Sequence, residues 1–205
     1  MKSPAIYRQV LDREDVKSLS EASEKAYAYA QSFTRLKRLF AISGKPRAAK
    51  AVAVETLPWG GIPLNHCMIL SDGIARPSFE RILLKLKSII GTSKYEPDIS
   101  AVRRHSTSST NVVWHTDAEA AGTKKYGYCI TAWVPFDSVG LNRPTLEFQV
   151  GELVRFQMEP GDVVMFDHFT THRTQPLTNP LSRTSAEIRF SLNISEHDEI
   201  ERSIG

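Results

Sequence analysis

Residues 183–194 read RTSAEIRFSLNI, and their alternation is regular from end to end. Thr184, Ala186, Ile188, Phe190, Leu192 and Ile194 fall on one side; Arg183, Ser185, Glu187, Arg189, Ser191 and Asn193 fall on the other. Successive side chains of a strand point to opposite faces, so this is a strand with one apolar and one polar face. The apolar face belongs against a hydrophobic layer. The polar face lines the inside of a closed or folded-over sheet, or meets solvent.

Working outward, the same short period recurs in ISAVRRH (99–105), NVVWHTD (111–117), YCITAWVPF (128–136), TLEFQV (145–150), LVRFQM (153–158) and DVVMFD (162–167). Turn formers separate these runs: Gly122, Gly127, Gly140, Asn142-Arg143-Pro144, Gly151, Pro160-Gly161 and Asn179-Pro180. Many short strands at such spacing predict a jelly-roll, a double-stranded β-helix of cupin-like type.

The N-terminal part reads differently. Val16, Leu19, Ala22, Ala26, Ala30, Phe33, Leu36 and Phe40 recur at helical steps, predicting a helix over 14–43 that Gly44 and Pro46 end. A basic cluster, Arg35, Lys37, Arg38, Lys45, Arg47 and Lys50, lies around its end and reads as a solvated, dipole-compensating face. AVAVETL (51–57) reads as a strand and Pro58-Trp59-Gly60-Gly61 as a turn. SFERILLKLKSII (78–90) reads as a second helix, with Ser78 as N-cap and Gly91 as its stop. The expectation is a single α+β domain over 1–205: a helical layer and lid at 1–97 on an all-β core at 98–195.

At 205 residues, with 41% hydrophobic and 24% charged residues, the chain is long and apolar enough to bury a core. A net charge of +3 is too small to argue for nucleic acid on its own. Cys67 and Cys129 stand alone, without metal-ligand or redox spacing, and read as buried thiols of a reducing compartment. The N-terminal MKSPAIYRQVLDRED has no apolar run of signal-peptide length, and no stretch approaches the roughly 18 apolar residues of a membrane span. A cytoplasmic protein is expected, as a monomer or homodimer without a membrane partner.

Three residues carry chemistry: His115 and Asp117 in VVWHTD, and His172 in GDVVMFDHFTTHRTQP. On a strand, positions two apart share a face, so His115 and Asp117 can reach one ion from a single strand end. His172 would complete a two-His-one-carboxylate set, which holds one face of a ferrous ion and leaves the other open. His168, four residues earlier, is the competing third ligand. His66, His105 and His197 have no partner spacing and read as structural or exposed. Beyond the last His, Arg183 with Ser185 offers a planar cationic fork and a hydroxyl to a carboxylate co-substrate. Arg189 is the rival anchor, on the same face and roughly 20 Å along the strand.

The blocks WHTD, ITAWVPFDSV, PTLEFQVG, EPGDVVMFDHFTTHRTQP and RTSAEIRF, spanning 99–194, resemble the phytanoyl-CoA dioxygenase-like branch of the iron(II)/2-oxoglutarate oxygenases. The resemblance implies Fe(II), 2-oxoglutarate and O2 as cofactors and His115, Asp117 and His172 as metal ligands. It also implies Arg183 as the 2-oxoglutarate anchor, with Trp133 as an aromatic beside it. The implied activity is oxidation, foremost hydroxylation, of an unactivated C–H bond in a small molecule, with succinate and carbon dioxide as co-products. Halogenating relatives carry a small residue where Asp117 stands, so desaturation or cyclisation are the nearer variants. Two rival expectations remain: a nucleic-acid dealkylase of the same superfamily, which also carries two arginines six apart, and a non-catalytic cupin-like binding protein.

Overall fold

The computed structural model describes residues 3–31, 53–54, 58–59, 62–63, 66–69, 76–91, 95–105, 113–120, 128–178 and 181–192. Its strands are β1 (Ala5–Tyr7), β2 (Ala53–Val54), β3 (Pro58–Trp59), β4 (Ile62–Pro63), β5 (His66–Ile69), β6 (Tyr95–His105), β7 (Cys129–Pro135), β8 (Leu146–Val150), β9 (Glu152–Arg155), β10 (Val163–Asp167), β11 (His172–Thr174) and β12 (Arg183–Leu192). The helices are α1 (Arg13–Gln31), α2 (Arg76–Ile90) and the short α3 (Asp117–Ala120). A large antiparallel sheet runs in the order β1-β10-β7-β12-β6-β5-β2, and a smaller one in the order β11-β8-β9. β3 and β4 form a separate antiparallel pair.

The period of two divides the core into two parts. On the large sheet, Ile130, Ala132, Val134, Val163, Met165, Ala186, Ile188 and Phe190 join Leu11, Val16, Leu19, Ile82 and Leu86 in one buried cluster. That cluster is the outer face of the sheet covered by α1 and α2. The intervening residues Trp133, Val164 and Phe166 join Leu146 and Phe148 of β8 in a second cluster, between the two sheets. The alternation expected for β12 is therefore realised, with its apolar side against the helices and its polar side turned toward the smaller sheet.

The start of the chain is tied to the sheet through Asp162, whose carboxylate accepts bonds from Arg8 Nη1 at 2.6 Å, the Gln9 backbone N–H at 2.9 Å and the Glu159 backbone N–H at 3.0 Å. Gly161 has φ +105°, and a Cβ there would lie 2.5 Å from the Leu11 carbonyl oxygen, so the close approach of residues 9–11 requires glycine.

Several local expectations are corrected. α2 begins at Arg76, so Ser78 lies inside the helix and is not its cap. Pro77 suits a first turn, where a missing N–H costs nothing. The stop at Gly91, with φ +73°, stands as expected. α1 is described only to Gln31; the remainder of the 14–43 helix and the basic cluster lie outside the described residues. The first 97 residues supply β1, β2 and β5 to the large sheet, so helical layer and sheet interleave instead of meeting at a boundary. Asp117 is not on a strand: pairing stops at His115, and Asp117 opens α3, where the Ala118 backbone N–H donates to the His168 carbonyl at 2.9 Å. Cys129 is buried as a thiol; the Cys67, His66 and His105 side chains and His197 lie outside what is described.

Candidate metal centre

His115 and His172 come together through the backbone. They form an isolated antiparallel bridge, with the His115 N–H on the His172 carbonyl at 3.1 Å and the reverse bond at 2.9 Å. Their rings lie 4.4 Å apart, and Phe166 packs on the His172 ring at 4.7 Å. The metal-binding atoms of His115, Asp117 and His172 all lie within 4.8 Å of one another.

Each imidazole is oriented the same way. His115 Nδ1 lies 2.9 Å from the Val113 carbonyl, and His172 Nδ1 lies 2.9 Å from the Thr170 carbonyl. A carbonyl only accepts, so each Nδ1 carries the proton and each Nε2 presents a lone pair. Burial lowers the His172 pKa and Asp117 opposes it, which leaves the neutral, ligating form. His168 is used elsewhere: its Nδ1 lies 3.0 Å from the Cys129 backbone nitrogen and 3.1 Å from the Cys129 carbonyl oxygen. The structure thus brings His172, and not His168, to the other two residues.

Asp117 is 4% exposed and held at both oxygens. Arg189 Nη2 donates to Oδ1 at 2.7 Å and Thr131 Oγ1 to Oδ2 at 2.7 Å. Arg189 and Thr131 are register partners on β12 and β7, so adjacent strands grip one carboxylate. Burial acts to raise the Asp117 pKa; the Arg189 charge, His172 and the Thr131 hydroxyl oppose it and bring it to about 2. Arg189 is therefore an ion-pair partner of Asp117. Thr131 carried no signal beyond being the one hydroxyl in the apolar run CITAWVP, two residues before Trp133 on the same face.

Arg183 is different. It is 3% exposed, and among the described residues it has no carboxylate partner. Its Nη1 donates to the Pro144 carbonyl, its Nη2 to Thr174 Oγ1 at 3.2 Å, and its guanidinium carbon lies 4.9 Å from the centre of the Trp133 ring. Burial pushes its pKa down to about 9, with Glu187 opposing. Arg183 Nε, Ser185 Oγ and Trp133 Nε1 are all buried with no hydrogen-bond partner among the described residues. A desolvated cation with spare donors around it is costly unless an anion completes it. A dicarboxylate whose far end meets Arg183 would supply both the counter-charge and the missing acceptors.

Among the described residues no helix is long and apolar enough to cross a membrane. No protein-family model matches the chain, and no curated protein matches it in sequence. Solved structures do match. SnoN, a non-heme alpha ketoglutarate dependent epimerase from nogalamycin biosynthesis, superposes with a TM-score of 0.60 at 17% identity, over 92% of this chain and 77% of its own. EvdO2 from Micromonospora carbonacea var. aurantiaca, complexed with 2-oxoglutarate, gives 0.62 at 16% identity, over 94% and 87%. EctD from S. alaskensis, with bound Fe, gives 0.63 at 13% identity, over 93% and 73%. What is shared is the fold.

Proposed function

We propose that this chain is an iron(II)- and 2-oxoglutarate-dependent oxygenase of the phytanoyl-CoA dioxygenase-like branch, built as one double-stranded β-helix domain. It acts in the cytoplasm on a small molecule, whose unactivated C–H bond it hydroxylates. The observation that carries this reading is a pair of unlike sites between the two sheets. One is a three-ligand cluster with two imidazole lone pairs and an ionised carboxylate. The other is the buried Arg183 cation, with no carboxylate partner among the described residues.

In this reading His115, Asp117 and His172 hold the iron. Arg183, Ser185 and Trp133 hold the far carboxylate of 2-oxoglutarate. When bound, iron and 2-oxoglutarate together reduce dioxygen, giving succinate, carbon dioxide and one oxygen atom for the substrate. The chain supplies orientation and exclusion of water. The Val113 and Thr170 carbonyls keep both imidazoles in the ligating tautomer. Arg189 and Thr131 keep Asp117 ionised and fixed in plane. The Trp133 ring limits how far the Arg183 guanidinium can tilt.

The test is oxygen-dependent conversion of 2-oxoglutarate to succinate by the iron-loaded protein, in the presence of a metabolite extract. Conversion that stops in Arg183→Ala supports the reading. Stoichiometric iron binding without any conversion would instead leave a cupin-like binding protein. Conversion that responds only to methylated nucleic acid would transfer the assignment to a dealkylase.

A further inference from the structure

The outside of the smaller sheet carries a second charge cluster, built around one buried carboxylate and separate from the metal cluster. Glu147 of β8 has a fully buried side chain although it points away from the space between the sheets. Arg155 Nε of β9 lies 2.6 Å from its Oε1, and Arg173 Nε of β11 donates to its Oε2 at 2.7 Å. Both arginines are register partners of Glu147 across the sheet. Arg173 is held along one edge by Glu147, and its guanidinium carbon lies 4.3 Å from the centre of the Trp114 ring. That distance is well inside cation–π range, and the charged hydrogen bond from Nε to Glu147 helps hold the cation in place.

The positions of these two residues in the chain matter more than the contact itself. Trp114 sits between Val113, whose carbonyl orients the His115 ring, and His115, whose backbone pairs with His172. Arg173 sits between His172 and Thr174, whose hydroxyl accepts from Arg183 Nη2. Alternation sends His172 and Thr174 inward and Arg173 outward. A grip of Arg173 on Trp114 therefore sets, from outside, where two candidate ligands stand relative to each other.

We propose that Trp114 and Arg173, braced by Glu147, are positioning residues that set the affinity of the His115–Asp117–His172 cluster for a divalent metal. The inference rests on the metal reading of that cluster. Losing the grip frees residue 114, and with it both the backbone bridge and the carbonyl that orients His115. Partners that orient metal ligands are typically worth roughly 10–100-fold in metal affinity. Arg173 carries the further consequence that its loss also loosens Thr174 beneath Arg183. Variants at 173 should weaken 2-oxoglutarate binding as well, while variants at 114 should not.

The experiment is Co(II) titration of the metal-free full chain, followed by its ligand-field absorption bands and by chelator competition. Trp114→Ala and Arg173→Ala should each weaken Co(II) binding by roughly tenfold or more and shift the bands. Trp114→Phe, which keeps an aromatic face, should restore most of the affinity. Arg8→Ala, which breaks the distant Asp162 attachment, is the control: it should lower the melting temperature and leave the Co(II) affinity and spectrum unchanged. Should Trp114→Ala fail to fold, Trp114→Leu and Arg173→Lys make the same comparison. Clasp variants that bind Co(II) as wild type does, or no worse than Arg8→Ala, overturn the inference while leaving the metal reading standing. Wild-type protein that binds no Co(II) at all removes the metal reading, and this inference with it.

Discussion

The two faces of the large sheet are made by the same strands and have opposite characters. On β7, Ile130, Ala132 and Val134 face the helices, while Thr131 and Trp133 face the smaller sheet. On β12, Ala186, Ile188 and Phe190 face the helices, while Arg183, Ser185 and Arg189 are buried on the other side. One face is a continuous apolar layer. The other buries two arginines, a serine and a threonine around a carboxylate and two imidazoles. Burying these polar groups is unfavourable unless each is paired, so the helix-covered face, together with the apolar cluster between the sheets, must offset what the polar inner positions cost. Stability and chemistry are thus divided at single-residue spacing.

The largest contrast comes from exchanging single residues across that division. His172→Ala should abolish stoichiometric iron binding, because three protein ligands are the minimum for such a site. The apo protein should stay folded, since a paired polar group is lost without opening the outer core. Phe190→Ala, on β12 but outward, should cost about 3–5 kcal/mol of stability through the cavity it leaves. The folded fraction should bind iron normally. Iron stoichiometry and denaturant melts on both variants give four numbers. The division fails if His172→Ala melts like Phe190→Ala.

A smaller effect is expected at Arg183. Arg183→Ala should weaken 2-oxoglutarate binding by about 2–5 kcal/mol, the usual cost of truncating one partner of a buried charge pair. Iron binding should hardly change. Arg183→Lys should recover only part, because an ammonium does not reproduce a planar fork stacked on Trp133. Isothermal titration with Mn(II) in place of iron measures both constants on one sample. If Arg189→Ala weakened 2-oxoglutarate binding more than Arg183→Ala, the anchor would move to Arg189.

What could be read from the chain follows from the range of each interaction. The faces of β12 and the β7 and β10 runs show in local pattern, because period is a local property; the grouping of His115, Asp117 and His172 shows only when a long gap in sequence is read together with the family resemblance. β1 and β11 do not, since each is three residues long and is defined by a distant partner: Ala5 pairs with Met165, and His172 with Phe148. Ser78 has the side chain of a helix cap, yet the helix begins earlier, at Arg76. The spacing of Asp117 from His115 predicts a strand, whereas the backbone turns into α3 there; the side chain still reaches the cluster. The pairing of Arg189 with Asp117 depends on the β12–β7 register, and nothing near either residue announces it. Trp114 and Arg173 each flank a candidate ligand in sequence, but only the bridge between β11 and residue 115 puts them in contact.

The smallest expected effect contrasts two buried aspartates. Asp117 lies between the sheets and stays ionised down to about pH 2. Asp162 lies at the rim, where it ties residues 8 and 9 to the start of β10. Burial acts to raise its pKa, but the Gln9 and Glu159 N–H groups and Arg8 outweigh it, so its folded-state pKa is lowered. A group with a depressed folded pKa contributes stability above its unfolded value, about 3.9 for Asp, and loses that contribution as pH falls through the folded value. Acidification below about pH 4 should therefore loosen the N-terminal attachment. Asp162→Asn should be less stable than wild type at neutral pH, and the gap should narrow steadily on acidification, as both proteins then lack the carboxylate charge. Denaturant melts of the two metal-free proteins between neutral and acid pH measure the gap. A gap that stayed constant would mean Asp162 acts through shape and hydrogen bonding alone, and the rim would then hold by packing, as the helix-covered face does.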